Sequence, residues 1–173
     1  AVMLLAMIVF EVDQKFDADR VIIGKKLKWH TLGVPLYSYI VVYTGALVRH
    51  TDASLVCGDW PFCRNNKPFE IPNNMYEWVQ MGHRFAVLLI FIWLFYIMLH
   101  AIKHYKDQRV IYWGWIIAFI LVLLQVIAGM FIIITRLDLI VSLLHSLLIT
   151  LLFGLLCYMI LLIARSKHNE KMK

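Results

Sequence analysis

Two histidines, His83 and His145, stand inside separate long apolar stretches, each a short way in from the same end of the molecule. An ionisable side chain in hydrocarbon is costly and marks function, and neutral imidazole is the commonest protein ligand for metals. At matching depths on two helices, two imidazoles can grip one iron from opposite sides, which is the ligation of a bis-histidine heme. The competing reading makes each a core histidine bonded to a serine or a backbone carbonyl; the matched depth favours ligation. Zinc would want two more nitrogen or sulfur ligands at that level, and none is apparent.

The depth argument rests on the spans. With 173 residues, 62% of them hydrophobic, and a mean hydropathy of +0.75, the chain is too apolar for a soluble domain. Three blocks are long enough to cross a bilayer as helices: Glu77 to Ala101, Val110 to Thr135 and Asp138 to Ala164. A fourth, Trp29 to Val48, is shorter and carries Pro35, Tyr37, Ser38 and Tyr39, which a bundle interior tolerates. Residues 1–10 are too few to span and read as the tail of a truncated helix, without the basic region or cleavage site of a signal peptide. The expected fold is therefore an all-α membrane protein, a four-helix transmembrane bundle over 29–164 with three clear spans and one shorter one.

Basic residues set the orientation. Lys15, Arg20, Lys25, Lys26 and Lys28 lie in the 11–28 loop, Lys103, Lys106 and Arg109 in the 103–109 turn, and Arg165, Lys167, Lys171 and Lys173 in the 165–173 tail. The opposite side holds Arg49, Arg64, Lys67 and Arg136. The positive-inside rule puts the three clusters in the cytoplasm and the 49–76 loop outside. Lipid topology and anionic headgroups account for the net charge of +6, with no nucleic acid implied. On this orientation His83 lies six residues inside Glu77 and His145 seven inside Asp138, each roughly 9 to 10 Å below the outer boundary.

The remaining polar residues read more blandly. His30, His100 and His104 are expected at the cytoplasmic interface and His168 in the tail, solvated or snorkelling, while His50 is interfacial or part of an entry surface. Arg84 needs a partner at its depth: a heme propionate, gripped by a fork of donors, or the nearby headgroups, reached by snorkelling. Cys57 and Cys63 bracket CGDWPFC, where Gly58 and Pro61 can supply a tight bend; in an oxidising compartment a disulfide is favoured over free thiols or metal ligands. Cys157 is a small buried hydrophobe in the last span. Gly129 and Gly154 permit close helix approach, and Gln125 can bond across helices or towards a porphyrin edge. Tyr112, Trp113 and Trp115 are expected in an interfacial aromatic belt.

The strings IGKKLKWHTLGVPLYSYIVVYTGALVRHT, EWVQMGHR, YKDQ and FGLLCYMILLIAR, with the paired cysteines between the first two, resemble the second half of bacterial heme A synthases over nearly the whole chain. The resemblance implies a protein of two similar four-helix halves, the second holding heme b on two axial histidines, here His83 and His145, with a disulfide at Cys57 and Cys63. It also implies the family's reaction, oxidation of the C8 methyl of heme O to the formyl group of heme A for cytochrome oxidase. Heme O as substrate, the missing N-terminal half, the lipid bilayer, a heme O synthase and an electron donor such as quinol are the implied partners, in the bacterial cytoplasmic membrane.

One departure matters. In the family's first half a catalytic glutamate stands three residues before a histidine; here Gln80 stands three before His83, and Glu77 is six before. Positions three apart share a helix face, whereas six apart are rotated well away, so Glu77 reads as an interfacial cap and the chain as the cofactor half, inactive alone and with no catalytic residue of its own. A cytochrome b-type electron carrier or quinol-oxidising subunit is the alternative reading, and a membrane scaffold without heme a third. No nucleotide-binding glycine loop, nucleophile elbow or HExxH motif is present.

Overall fold

The computed structural model describes residues 21–64 and 66–171. The expected helix tail at 1–10 and most of the 11–28 loop lie outside the described residues. Four helices follow in order: α1 Lys25–His50, α2 Met75–His104, α3 Arg109–Ile134 and α4 Leu139–Lys171. Each contains a segment long and apolar enough to cross a membrane, in α4 Leu139–Ile163, and no strand occurs among the described residues. The span expected to be short, Trp29 to Val48, is a 26-residue helix that runs through Pro35 and begins at Lys25, so three of the loop lysines ride on its first turn.

Short connections join α2 to α3 and α3 to α4, which makes these neighbours antiparallel. Asn74 caps α2 by accepting from the Glu77 amide at 2.9 Å, and Asp138 starts α4 by accepting from the amides of Ile140 and Val141. Arg136 and Leu137, both with positive φ, make the tight reversal between α3 and α4. Packing runs α1–α2–α3–α4 and closes from α4 back to α1, so α2 and α4 face each other across the diagonal.

The two ends of the bundle are built differently. At the basic end, Leu27, Val34, Leu94, Ile97, Ile111, Trp115, Leu156 and Leu162 form a continuous buried core. The extended segment 21–24 seals that end. Gln108 bonds both backbone groups of Ile22 at 2.9 Å, the Ile23 amide donates to Ser166 Oγ, and the Gly24 amide to the Tyr105 hydroxyl. At the other end the apolar core thins. No described residue of α2 between Gln80 and Ile90 is buried, and none of α4 before Leu148. The histidines lie in this stretch.

Two expectations need correction, and a third gains detail. Trp115 is in the core, not the interfacial belt: it is fully buried where α3 meets α4 so closely that a Cβ on Gly114 would touch Met159 Sδ at 2.8 Å. Trp113, at 56% exposure, suits the belt. His30 is not simply solvated, because Trp93 Nε1 donates to its Nδ1 at 3.0 Å and its ring packs edge-on against Trp93 and Tyr96. His100 and His104 pack on each other with ring centroids 4.6 Å apart. Aromatic partners hold these rings, on the neighbouring helix for His30 and one turn away for the other two, which a count of charges does not register.

Candidate functional site

His83 projects from α2 eight residues after its first turn begins, and His145 from α4 six residues after its start, so both lie about 9 to 12 Å in from the same end. The level expected from sequence is therefore kept to within about one helical step or two. They stand on diagonal helices, each with its ring against a glycine of the preceding helix. A Cβ on Gly45 of α1 would meet His83 Cε1 at 3.0 Å, and one on Gly129 of α3 would meet His145 Cε1 at 3.5 Å. Each glycine is five residues from the end of its own helix, which gives the site an internal two-fold pattern.

Thr44 is the hydrogen-bond partner of His83. With its single proton on the Val41 carbonyl at 2.7 Å, Thr44 Oγ1 serves as acceptor towards His83 Nδ1, 2.9 Å away. In that arrangement Nδ1 carries the ring proton and Nε2 keeps a lone pair, the form of imidazole that binds a metal. Around His145 two buried polar atoms have no partner, its own Nδ1 and Gln125 Oε1. Among the described residues no group of three or more His, Cys, Asp or Glu side chains could hold a metal ion, so the histidine pair stands without a third protein ligand.

The glycine contacts make a prediction. Gly45→Ala must push the His83 ring by a few tenths of an ångström, away from its place beside Thr44, whereas Gly129→Ala adds an ordinary van der Waals contact. Absorbance of the purified protein around 400 nm, normalised to protein, should fall several-fold in the first variant and stay near the parent in the second.

Above the histidines the loop between α1 and α2 is fastened to α2. Cys57 and Cys63 form the expected disulfide, with Cα atoms 4.3 Å apart. The Cys57 amide donates to Gln80 Oε1 at 2.7 Å, and Gln80 Nε2 donates to the Ser54 carbonyl at 2.8 Å. One turn further on, Arg84 Nη1 donates to the carbonyls of Asp59, Pro61 and Phe62, while Nη2 makes one long contact of 3.4 Å to the Cys57 carbonyl. Arg84 thus neither snorkels freely nor stands unpaired. Thiol alkylation under non-reducing conditions, read by mass spectrometry, should leave Cys57 and Cys63 unlabelled; full labelling of both would mean a reduced pair.

Glu77 behaves as the cap expected of it and as more. It is 4% exposed, accepts from the Asn73 amide at 2.9 Å, and takes an ion pair from Arg64 Nη2 at 2.6 Å; Arg64 also reaches Glu70. Its carboxylate is spent on loop structure, away from His83. Gln80 has work that a glutamate could not do, because a carboxylate has no donor for the Ser54 carbonyl. Thr44, Gly45 and Gln80 were not singled out as site residues from the sequence in these roles. The one visible signal was a polar Thr-Gly pair inside an apolar span.

Fold and site together define a polytopic helical membrane protein that presents paired imidazoles within one end of a four-helix bundle. The chain belongs to the family described as cytochrome oxidase assembly protein, which it matches over residues 1–157. It is 72% identical over all 173 residues to the heme A synthase of Lysinibacillus sphaericus, of which it covers 56%. Over 171 residues, 99% of the chain, it is 57% identical to a heme A synthase of Bacillus cereus and 56% identical to one of Bacillus anthracis, covering 54% of each. The chain spans about half the length of the curated relatives it matches.

Proposed function

We propose that this chain is the heme b-binding half of a heme A synthase, the enzyme that oxidises the C8 methyl of heme O to a formyl group in supplying heme A to cytochrome oxidase. The observation that carries the reading is the pair of imidazoles on diagonal helices, each seated on a glycine, at the level where apolar side chains cease to close the bundle. The residues fit heme b. His83 presents Nε2 by virtue of its bond to Thr44, His145 lies opposite with an unpaired buried nitrogen, and the thinned core suits a flat apolar macrocycle. His83 and His145 are the axial ligands on this reading, and Arg84 Nη2, with its single long contact, is available to a propionate. A heme ligated on both sides supplies reversible one-electron transfer.

The chain's own residues divide the work accordingly. Thr44 orients an imidazole, Gln80 and Arg84 hold the disulfide loop over that end, and Glu77, the carboxylate nearest His83 along α2, is occupied by Arg64 and so is not free to take a proton from substrate. The hydroxylating chemistry on heme O then belongs to an N-terminal half, with a quinol or similar donor feeding electrons and a heme O synthase delivering substrate. The basic end, residues 11–28, 103–109 and the C-terminus, faces the cytoplasm of a bacterial cell, and the disulfide loop faces outward.

The test supplies heme O, a reductant and oxygen to the intact protein and, separately, to the 173-residue chain. The intact protein is expected to yield hydroxylated and formyl product, and the chain alone to bind heme b and yield none. Product from the chain alone would overturn the division of labour. An intact protein that binds heme b and never alters heme O would favour a simple cytochrome b-type carrier.

A further inference from the structure

The two imidazoles are not supported alike. His83 has Thr44; at the matching place beside Gly129 stands Ala128, which offers no hydroxyl. One turn before Gly129, on the same face of α3, lies Gln125. Its Oε1 and the His145 Nδ1 are both buried and both without a partner, two of the four such side-chain atoms among the described residues. Gly129, one turn on, packs against this ring, since a Cβ there would lie 3.5 Å from His145 Cε1 and 3.9 Å from its Nδ1, so the face of α3 that carries Gln125 is the face turned to that imidazole.

A buried polar atom without a partner forfeits the hydrogen bond it had with water, so two of them on adjacent helices have reason to pair. A single hydrogen bond between them satisfies both, and its direction follows from the amide oxygen being the buried orphan. An amide oxygen only accepts, so His145 must donate from Nδ1, and a neutral ring that donates from Nδ1 keeps its lone pair on Nε2.

We propose that Gln125 is the positioning residue of His145, its side-chain amide oxygen accepting the Nδ1 proton as the Thr44 hydroxyl accepts that of His83, so that both rings present Nε2 to one metal. The proposal rests on the reading of the pair as heme ligands. It makes the two ligands inequivalent: one is polarised by a hydroxyl already engaged to Val41, the other by an amide. Partners of this kind raise the donor strength of a ligating imidazole and favour the oxidised metal.

The experiment uses the intact protein purified with its heme, in the parent form and as Gln125→Leu, Gln125→Glu and Thr44→Val. Reduced-minus-oxidised spectra first establish whether the parent binds a bis-imidazole heme; a parent without one overturns the cofactor reading itself. With heme bound, potentiometric titration should show Gln125→Leu and Thr44→Val shifted to higher midpoint potential and Gln125→Glu to lower. The low-temperature electron paramagnetic resonance g values should move in all three, because they report imidazole donor strength and not through-space charge alone. Heme retained in both Gln125 variants with parental g values would overturn the proposal, including where the potential shifts, since that pattern assigns Gln125 to a porphyrin edge. Should Gln125→Leu not accumulate, Gln125→Glu keeps the acceptor and decides the matter by its g values.

Discussion

Replacement of either His83 or His145 by alanine in the intact protein is expected to abolish the low-spin heme b spectrum, the largest single effect the site allows. Each ring stands on its own helix against its own glycine, and the other histidines are placed elsewhere along the helices: His50 is exposed at the end of α1, while His30, His100, His104 and His168 belong to the opposite end of the bundle. One remaining imidazole leaves iron five-coordinate, so any residual pigment should be high-spin and labile. His83→Gly opens an imidazole-sized space beside Thr44 and Gly45, and added imidazole should restore part of the low-spin band. A low-spin signal that survives both single substitutions would remove these residues from the ligand set.

How much of this was legible in the sequence depends on the kind of signal. The spans came from runs of apolar residues, whose length a bilayer dictates, and all four match helices, with ends moved because caps and polar end turns lie outside the apolar run, as with Asn74 before Met75 and the polar last turns of α4. The histidine pair was visible because ionisable side chains in such runs are rare, and the disulfide because a seven-residue bracket can hardly do otherwise when it closes. What stayed hidden was pairing across the bundle. That Thr44 meets His83, that Gln80 faces Ser54 and Cys57, and that Trp93 meets His30 depends on rotation and depth of neighbouring helices, and hydrophobic periodicity is weak where lipid and core are equally apolar. Trp115 shows the same limit: position along the helix suggested the interface, and rotation about it put the ring in the core.

Arg84→Leu is expected to release the disulfide loop from α2. The guanidinium holds three carbonyls of CGDWPFC through one nitrogen, and the neighbouring Gln80 holds two more loop groups, so the bracket is fastened one turn apart on a single helix face. A hydrogen bond from a charged donor contributes about 1.5 to 3 kcal/mol; because part of this loop is solvent-exposed, a total loss of roughly 2 to 3 kcal/mol is the expected size. It should appear as a lower thermal midpoint in detergent and as faster proteolysis within residues 58–73. Arg84→Lys, which keeps the charge but presents no planar fork, should fall between parent and Leu. The neighbouring His83 makes the spectrum informative as well. If the loop contacts are the whole role of Arg84, heme content in the Leu variant should stay near parental at low temperature and decline only as the loop opens. Heme lost from a variant whose loop remains protease-resistant would instead assign the guanidinium to a propionate, through the one nitrogen that the loop barely engages.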